Sequence, residues 1–509
     1  MKAVSRLIVV SLWVGVFSFL SKAQHGVGNQ WSPEIELPMP PGSNSVRGSL
    51  YSNMGILSNG KRIVFLDRQD GQRGFYYTYS YDGINWSTPQ RFAPDTTVIG
   101  LHGLKIIAGP NDTIHVIWAS HLPKALYYTQ MDSSLNIIID SIRIADHPDF
   151  NSFNDMYITT DLQGRIHVMW NEGKPGSDIP EVYYTRSTDG GNTWSAKVRI
   201  SAHDGKSSLF PRAQYNAYGG DTLAIAWRDS VMANNWNIHM VVSTNGGITW
   251  SAPFVINPNP NMQGDPDLVI DPWGRFHLFY HEAPQGNAYW GIRLMYGYSD
   301  DQGQTWHSPG PYDFDTISKH QRSYLAEGSR YDRQRQVLWT FWKEEDLMGR
   351  KGGDMLATYS LNRGISWSTP EYITDRHDSS IGYKAVAMLP NGGIGVNYEL
   401  PNYPHAGQFH VYYKERTPPT LATYTPVTNN TISIWNHPGS PILNIQSPHP
   451  IQQITITNIN GQIIRSFHPS HNLRSYAINM QNAVRGIYLL TITTQRLSTT
   501  RKITIDNIP

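Results

Sequence analysis

The sequence predicts an all-β protein in which a long array of repeated strand units is followed by a small C-terminal β-sandwich. Three observations lead to this prediction. A turn of the form Ser-x-Asp-x-Gly-x-x-Trp returns at regular distances, strands of alternating apolar residues recur with a matching period, and a different strand pattern begins after residue 441. The 509 residues suffice for one large domain and one small one.

The recurring turn is clearest at Ser187–Trp194. Asp189 can accept hydrogen bonds from backbone N–H groups further along the turn, and Gly190 and Gly191 can supply positive φ. Trp194 then begins a strand in which its indole can be buried. Related turns lie at Tyr79–Trp86, Ser243–Trp250, Ser299–Trp306 and Ser360–Trp367. We interpret these turns as structural staples and not as catalytic sites.

These turns resemble the Asp boxes (BNR repeats) of the sialidase superfamily and of other Asp-box β-propellers. The resemblance covers roughly residues 31–417 and implies a β-propeller whose boxes lie on the rim opposite the active site. It selects no single activity, because Asp-box propellers include hydrolases, lyases and non-catalytic proteins. We therefore expect a propeller spanning residues 30–417.

The number of blades is inferred from the strands. A turn followed by alternating apolar residues occurs seven times, which favours seven blades over the six of sialidases. These segments are Lys61–Leu66, Asp112–Trp118, Gly164–Trp170, Asp221–Trp227, Gly274–Tyr280, Arg335–Trp342 and Gly392–Tyr398. Trp31–Leu37 has the pattern of the strand that follows each box, so we expect it to complete the last blade and remove an open sheet edge.

Composition excludes several classes of protein. Charged residues are 16% of the chain and the formal net charge is +1, so no broad basic surface is available for nucleic acid. The chain has no cysteine, which excludes disulfides, zinc ribbons and thiol catalysis. No histidine or carboxylate cluster at ligand spacing accompanies His102 or His281, so we expect no metal and no cofactor.

The N-terminus has the pattern of a signal peptide, which we place at residues 1–23. Lys2 and Arg6 precede an apolar stretch, Leu7–Leu20, and Ser21-Lys22-Ala23 offers a small-x-small cleavage site. The apolar stretch is shorter than the roughly 18–20 residues of a membrane span. We expect export and no membrane span.

The C-terminal part begins with a linker at residues 418–440, which is rich in Thr, Asn and Pro. Short alternating strands around an Asn-Gly turn follow in residues 441–509. This segment resembles the type A sorting domain of the type IX secretion system of Bacteroidota. The resemblance implies passage through the periplasm, the secretion machinery as a partner, and release or attachment at the cell surface.

Propeller geometry indicates where a site can form. The innermost strand of each blade lines the axial channel, and the loops that enter it share one rim with the loops between the second and third strands. The residues expected to bind substrate there are Arg47, Arg212, Arg322, Asn154, Lys384, Glu282 and Trp290. The candidate catalytic residues are Tyr383, Asp155, Asp265 and His102. Further groups expected around the mouth include His121, Glu172, Arg228, His281, Glu344 and Glu399.

Three functions fit these residues. The resemblance to sialidases implies a hydrolase in which three arginines hold a sugar carboxylate, a tyrosine is the nucleophile and an aspartate is the acid and base. Its counterparts would be Arg47, Arg212 and Arg322, with Tyr383 or Tyr324 as nucleophile, Glu327 or Glu399 as its partner, and Asp155 or Asp265 as acid. The Phe-Arg-Ile-Pro segment of sialidases is absent, since Phe210-Pro211-Arg212 has another order.

The second function is a polysaccharide lyase acting on uronic acids, in which Arg212 neutralises the uronate and His102 with Tyr383 or Tyr215 transfers the proton. The third is a non-catalytic surface propeller that binds a glycan or a protein. An acidic glycan is the expected partner of the rim in the first two cases, since a guanidinium grips a carboxylate bidentately.

Overall fold

The computed structural model divides the chain into two compact units, Met1–Pro419 and Thr420–Pro509. The structure describes residues 30–48, 53–68, 70, 74–92, 103–121, 124–146, 156–173, 179–202, 204–215, 221–232, 235–256, 258, 261–283, 293–307, 322–345, 353–375, 384–401, 408–419, 432–435, 442–447, 449–469, 475–480, 486–494 and 498–505. The predicted signal peptide and most of the predicted linker lie outside these residues.

The described residues of the first unit form short antiparallel strands and one 3₁₀ turn, Pro110–Asp112. Its strands are β1 (Ile35–Glu36), β2 (Val46–Gly48), β3 (Met54–Ile56), β4 (Arg62–Arg68), β5 (Gly74–Ser80), β6 (Gln90–Arg91), β7 (Leu104–Ala108), β8 (Ile114–His121), β9 (Lys124–Met131), β10 (Ile137–Asp146), β11 (Met156–Thr160), β12 (Ile166–Gly173), β13 (Pro180–Ser187), β14 (Val198–Arg199), β15 (Ser208–Tyr215), β16 (Leu223–Met232), β17 (Asn235–Ser243), β18 (Phe254–Ile256), β19 (Met262–Ile270), β20 (Phe276–Ala283), β21 (Arg293–Ser299), β22 (Arg322–Asp332), β23 (Val337–Glu345), β24 (Asp354–Ser360), β25 (Glu371–Tyr372), β26 (Lys384–Met388), β27 (Ile394–Pro401) and β28 (Phe409–Arg416).

These strands form a β-propeller. Blade 1 contains β2–β6, blade 2 β7–β10, blade 3 β11–β14, blade 4 β15–β18, blade 5 β19–β21, blade 6 β22–β25, and blade 7 β26–β28 with β1. The innermost strands contact one another in a closed cycle from β3 through β7, β11, β15, β19, β22 and β26 back to β3. Seven sheets are thus present among the residues described in this unit, and the blade number of the complete ring stays a prediction.

The ring is closed by the N-terminal strand, as the sequence predicts. β1 pairs antiparallel with β28, the third strand of blade 7, through Ile35 opposite Tyr413 and Glu36 opposite Tyr412. The Trp31 indole N–H donates to Glu371 at 2.9 Å, which ties the same segment to blade 6. The outer position of the last blade is therefore filled by residues from the start of the propeller, which covers the edge of β28.

The Asp box is a hydrogen-bonded turn. In blade 3 the Asp189 carboxylate accepts from the Thr193 backbone N–H at 2.9 Å, and the Ser187 hydroxyl accepts from the Gly191 N–H at 2.8 Å. The Trp194 indole donates to the Gly191 carbonyl at 3.1 Å. The predicted structural role of the box is consistent with these bonds, because each one satisfies a group within the turn itself.

Each box also packs against the preceding blade. The Tyr184 ring of blade 3 lies 5.0 Å from the Trp250 ring in the box of blade 4, and its hydroxyl contacts His167 Nδ1 at 2.7 Å. A Cβ atom on Gly247 would collide with the Tyr184 hydroxyl, so this box position requires glycine. Equivalent ring pairs are Tyr128 with Trp194, Tyr296 with Trp367, and Tyr413 with Trp86.

The second unit forms a small β-sandwich of two antiparallel sheets. Its strands are β29 (Ser433–Trp435), β30 (Ile442–Gln446), β31 (Ile451–Asn458), β32 (Ile463–Phe467), β33 (Ser475–Asn479), β34 (Gly486–Thr494) and β35 (Ser498–Ile505). The sheets have the orders β29-β30-β33 and β32-β31-β34-β35. Buried side chains from both sheets, such as Ile445, Ile456 and Leu490, share one apolar core.

Candidate functional site at the rim opposite the boxes

Strand register defines the two ends of a blade. In blade 4 the start of β16 at Leu223 pairs with Ser243, the first residue of the box, and its last residue, Met232, pairs with Asn235. Ser208, which begins the innermost strand, pairs with Asp229 near that second end. Strand entries and the second-to-third strand connections therefore share the rim away from the boxes, as the sequence predicts.

Two neighbouring innermost strands carry the same irregularity near this rim. The register of β15 shifts between Leu209 and Arg212, and that of β19 shifts between Gly264 and Asp267. Inside each bulge a non-glycine residue has positive φ, namely Phe210 (φ 56°) and Asp265 (φ 42°). Each of these residues precedes a proline. Such backbone conformations cost free energy and cluster at functional sites, so the paired bulges make this rim a candidate functional site.

The bulges assemble a rim cluster, defined here as Phe210, Arg228, Trp236, Asp265 and His281. The Arg228 guanidinium lies 4.1 Å from the centre of the Phe210 ring and 4.9 Å from that of Trp236. Its Nη1 is 3.3 Å from Asp265 Oδ1. Two cation–π contacts and an ion pair thus hold one guanidinium in place across blades 4 and 5.

His281 completes the rim cluster on the inner side. Its Nδ1 is 3.8 Å from Asp265 Oδ2, and its side chain is 2% exposed. A Cβ atom on Gly264 would collide with the imidazole, which places the backbone of β19 directly against the ring. Burial lowers the pKa of His281 below its usual 6.5, against the attraction of Asp265. The imidazole is therefore neutral at physiological pH.

The same bulges turn the next residues inward. Arg212 is 3% exposed and donates to the Pro211 carbonyl at 2.7 Å, with its guanidinium 5.5 Å from the Tyr157 ring. Asp267 accepts from the backbone N–H groups of Gly328 at 3.1 Å and Ser329 at 2.7 Å. Burial raises the pKa of Asp267 in spite of these bonds. The structure thus places Arg212 in the interior, and its predicted contact with substrate stays a prediction.

Of two other predicted site residues, Arg47 is placed at a different contact between blades, whereas Glu282 adjoins the rim cluster. Arg47 lies 3.5 Å from Glu399 and 3.9 Å from the centre of the Phe409 ring, at the contact between blades 1 and 7. Glu282 is next to His281 on β20, is buried, and accepts from the Asn261 side-chain amide at 2.8 Å. Of the predicted set, the structure therefore brings Glu282 and Asp265 to one rim region.

The remaining predicted residues are described in part or not at all. Arg322 begins β22 opposite Glu345, and Lys384 begins β26 opposite Tyr398, which puts both at strand entries on the expected rim. Their side chains are outside the described part of the structure. The predicted residues His102, Asn154, Asp155, Trp290 and Tyr383 lie outside the described residues entirely. Their roles stay predictions.

Several acidic residues near the rim accept a hydrogen bond from the indole of the tryptophan two residues before them. The indole of Trp170 donates to Glu172 at 2.9 Å, and the indole of Trp342 donates to Glu344 at 3.1 Å. Trp227 and Asp229 repeat this at 2.9 Å. The pattern Trp-x-acid recurs in the sequence and could have identified these pairs in advance. Carboxylates that receive a buried indole N–H satisfy that donor, so they are weaker catalytic candidates than Asp265.

No group of three or more His, Asp or Glu side chains within the described ranges is arranged to hold a metal ion. In the same part of the chain, no helix has both the length and the apolar character needed to cross a bilayer.

Comparison with protein families identifies two kinds of segment. Residues 241–252 and 298–308 match the BNR/Asp-box repeat. Residues 433–506 match the secretion system C-terminal sorting domain. No curated protein matches the chain. The chain therefore carries Asp-box repeats and a sorting domain, and the latter marks a protein that the type IX secretion machinery delivers to the cell surface or the medium.

Solved structures with a similar arrangement of strands include an ulvan lyase, at 11% identity over 70% of this chain and 92% of that chain, with a TM-score of 0.48. A sialidase from Streptococcus pneumoniae matches at 15% identity over 75% of this chain and 70% of that one, with a TM-score of 0.38. A lectin from Burkholderia pseudomallei matches at 13% identity over 73% and 95%, with a TM-score of 0.45. Similarity this low leaves the activity to be argued from the residues of this chain. The Asp-box repeats support a glycan-active propeller in general terms.

Proposed function

We propose that this protein is a secreted propeller that binds acidic extracellular glycans at the rim cluster and cleaves them as a glycoside hydrolase. The observation that supports this most is Asp265, a carboxylate held in a strained bulge between a guanidinium at 3.3 Å and a neutral imidazole at 3.8 Å. Strained, pre-positioned acids next to a fixed cation are typical of catalytic and ligand-binding sites.

In this proposal Asp265 is the general acid and base that protonates the glycosidic oxygen and then activates water. Arg228 supplies positive charge toward a carboxylated sugar, and the Phe210 and Trp236 rings fix the orientation of the Arg228 guanidinium. Tyr383 remains the proposed nucleophile and Asp155 the alternative acid. Arg47, Arg212 and Arg322 remain proposed contacts for the sugar carboxylate.

A polysaccharide lyase is the second candidate, and His281 is the observation that favours it. β-Elimination needs a base to remove the proton next to a uronate carboxylate and a cation to neutralise that carboxylate. The lowered pKa keeps the imidazole neutral, the form that can accept a proton, and Arg228 is within the same cluster. In this case Asp265 orients the imidazole and His281 is the base.

One assay separates these functions. The mature protein is incubated with sialylated and uronate-containing oligosaccharides, and products are followed by new reducing ends and by ultraviolet absorbance. Hydrolysis gives reducing ends without absorbance, whereas elimination gives both, because an unsaturated uronate absorbs. Asp265→Asn should abolish either signal, and Asp189→Asn, at the opposite end of the blades, should retain it. Binding without any product in the wild-type protein would overturn the proposed cleavage and support a non-catalytic binder.

A further inference from the structure

The Arg228 guanidinium is held in one orientation, in which it can bind an anion. Its guanidinium is held by the Phe210 ring at 4.1 Å and the Trp236 ring at 4.9 Å, and its side chain is 10% exposed. The N–H donors of a guanidinium lie in its own plane, and this planar arrangement suits the two oxygens of a carboxylate. The rings restrict the side chain before any ligand arrives, so little freedom remains to be lost on binding.

Asp265 is an anion that Arg228 contacts in this structure. The two side chains are 3.3 Å apart, and Asp265 is the more exposed partner at 23%. A ligand approaching from solvent therefore encounters the carboxylate of the protein before it encounters the guanidinium. Asp265 also lies in a backbone bulge and has a φ of 42°. This backbone conformation is unfavourable for a residue other than glycine, so holding Asp265 there costs free energy in the folded state.

We propose that Asp265 occupies the position of the ligand's own carboxylate, so that an acidic sugar displaces it from Arg228. The ion pair is then an internal substitute for the ligand, and it selects against neutral sugars. A neutral ring cannot replace the charge that Arg228 would lose, and breaking an ion pair of a partly buried cation is costly. The choice of an acidic sugar rests on the proposed function, whereas the displacement rests on the geometry of the rim cluster.

Displacement also gives Asp265 a second partner. Its Oδ2 lies 3.8 Å from His281 Nδ1, just beyond hydrogen-bonding distance. When a ligand carboxylate takes the place of Oδ1 beside Arg228, a small movement of the side chain closes this gap. Binding of an acidic sugar would then bring the proposed acid and base into contact with the imidazole, and a neutral sugar would not.

Calorimetric titration with glucuronic acid and with its uncharged methyl ester tests this on the mature protein. Asp265→Asn keeps the size of the side chain and removes its charge, so we expect glucuronic acid to bind about tenfold more tightly than to the wild-type protein. Asp265→Gly accepts positive φ without strain and should show the same gain if the asparagine variant fails to fold. Arg228→Gln should lose binding, and Asp189→Asn should match the wild-type protein.

The outcomes separate this proposal from the proposed cleavage. Tighter binding in the Asp265 variants supports the displacement, whether or not the wild-type protein turns over any glycan. Unchanged, weaker or undetectable binding in both Asp265 variants overturns it, even if the wild-type protein is shown to be a hydrolase. Equal gains for glucuronic acid and for its methyl ester would also overturn it, because only a carboxylate of the ligand can replace the carboxylate of Asp265 beside Arg228.

Discussion

The Trp86 and Tyr413 rings lie edge to face, with centroids 5.0 Å apart and planes at 72°. Trp86 belongs to the box of blade 1 and Tyr413 to the third strand of blade 7. The internal pair of Tyr128 and Trp194 has nearly the same geometry, at 5.1 Å and 64°. The contact that joins neighbouring blades is thus also the contact that closes the ring.

Truncating Trp86 should weaken ring closure as much as the matched change weakens an internal contact. We expect Trp86→Ala and Trp194→Ala each to lower the free energy of unfolding by about 2 kcal/mol, since each removes a partly buried indole from a ring pair. Urea-induced unfolding of the mature protein measures both. A neutral Trp86→Ala beside a destabilising Trp194→Ala would mean that blades 1 and 7 are not joined in this way.

Removing a box carboxylate should affect stability and leave binding intact. Hydrogen bonds from Thr193 and Ser187 lower the pKa of Asp189 to about 2, so this group is ionised, and these bonds lie within its own turn. We expect Asp189→Ala to lower the melting temperature by a few degrees in calorimetry and to leave glycan affinity unchanged. Lost affinity at wild-type stability would contradict the structural role of the box.

Asp271 should make the propeller sensitive to acid. Burial alone would raise its pKa, but the Arg363 guanidinium and the hydrogen bond with His277 outweigh burial and lower the pKa from 3.8 to about 2. A carboxylate with a depressed folded-state pKa contributes stability that is present above the unfolded pKa, near 4, and is lost as the pH falls toward 2. A shift of this size corresponds to about 2 kcal/mol.

The matched test compares Asp271→Asn with Asp140→Asn, an exposed position on β10. We expect Asp271→Asn to lose about 2 kcal/mol at pH 7, while Asp300 at 3.7 Å remains a charged partner of Arg363. Its stability should then fall less steeply between pH 4 and pH 2 than that of the wild-type protein. Denaturant titrations between pH 4 and pH 2 measure how steeply the free energy of unfolding falls with pH. Parallel curves for Asp271→Asn and the wild-type protein would show that Asp271 is not the group responsible for the acid sensitivity.

Trp236 should contribute to affinity through Arg228. Loss of one of the two rings that hold the guanidinium should weaken binding of an acidic sugar by about 0.5–2 kcal/mol, with the propeller still folded. Trp236→Ala should show this loss in calorimetry, and Trp236→Phe should recover part of it. If the alanine variant binds as tightly as the wild-type protein, the rim cluster is not the ligand site.

The sorting domain should be required for delivery and not for folding of the propeller. The two units have separate apolar cores, and residues 433–506 match a sorting domain. A chain ending at Pro441 should accumulate in the periplasm as a soluble propeller. Cell fractionation with an antibody to the propeller measures this, and normal delivery of the shortened chain to the surface would contradict the assignment.

The periodic part of the fold could be predicted from the sequence. Alternating apolar residues and box turns placed the strands of each blade, and the pattern of Trp31–Leu37 predicted the closing strand, which is confirmed by its pairing with β28. Blade 2 departs from the repeat because its box has decayed to a short turn at Asp132. Its outer strand, β10, is ten residues long, whereas the other outer strands described have two or three.

The contacts within the candidate site were predicted less completely, because bulges change which way side chains point. Asp265, Arg228 and His281 were all expected near the mouth, but their contact depends on an extra residue inserted in β19. An insertion of one residue reverses the alternation of a strand, and in β15 it turns Arg212 inward. Pro211 and Pro266 were the available signal, since proline inside a central strand is found at bulges.

The ends of the propeller have a mechanical consequence. The backbone N–H of Thr417 donates to the Gln30 carbonyl at 3.1 Å, and Glu371 binds both the Arg416 guanidinium, at 2.6 Å, and the Trp31 indole. If the chain is held at the cell surface through its C-terminal part, drag on the propeller is applied to β28. The strands of blade 7 and the contacts of Glu371 with Arg416 and Trp31 then carry this load. The rim cluster of blades 4 and 5 lies outside this path, so we expect tension in flow to leave the proposed binding site undistorted.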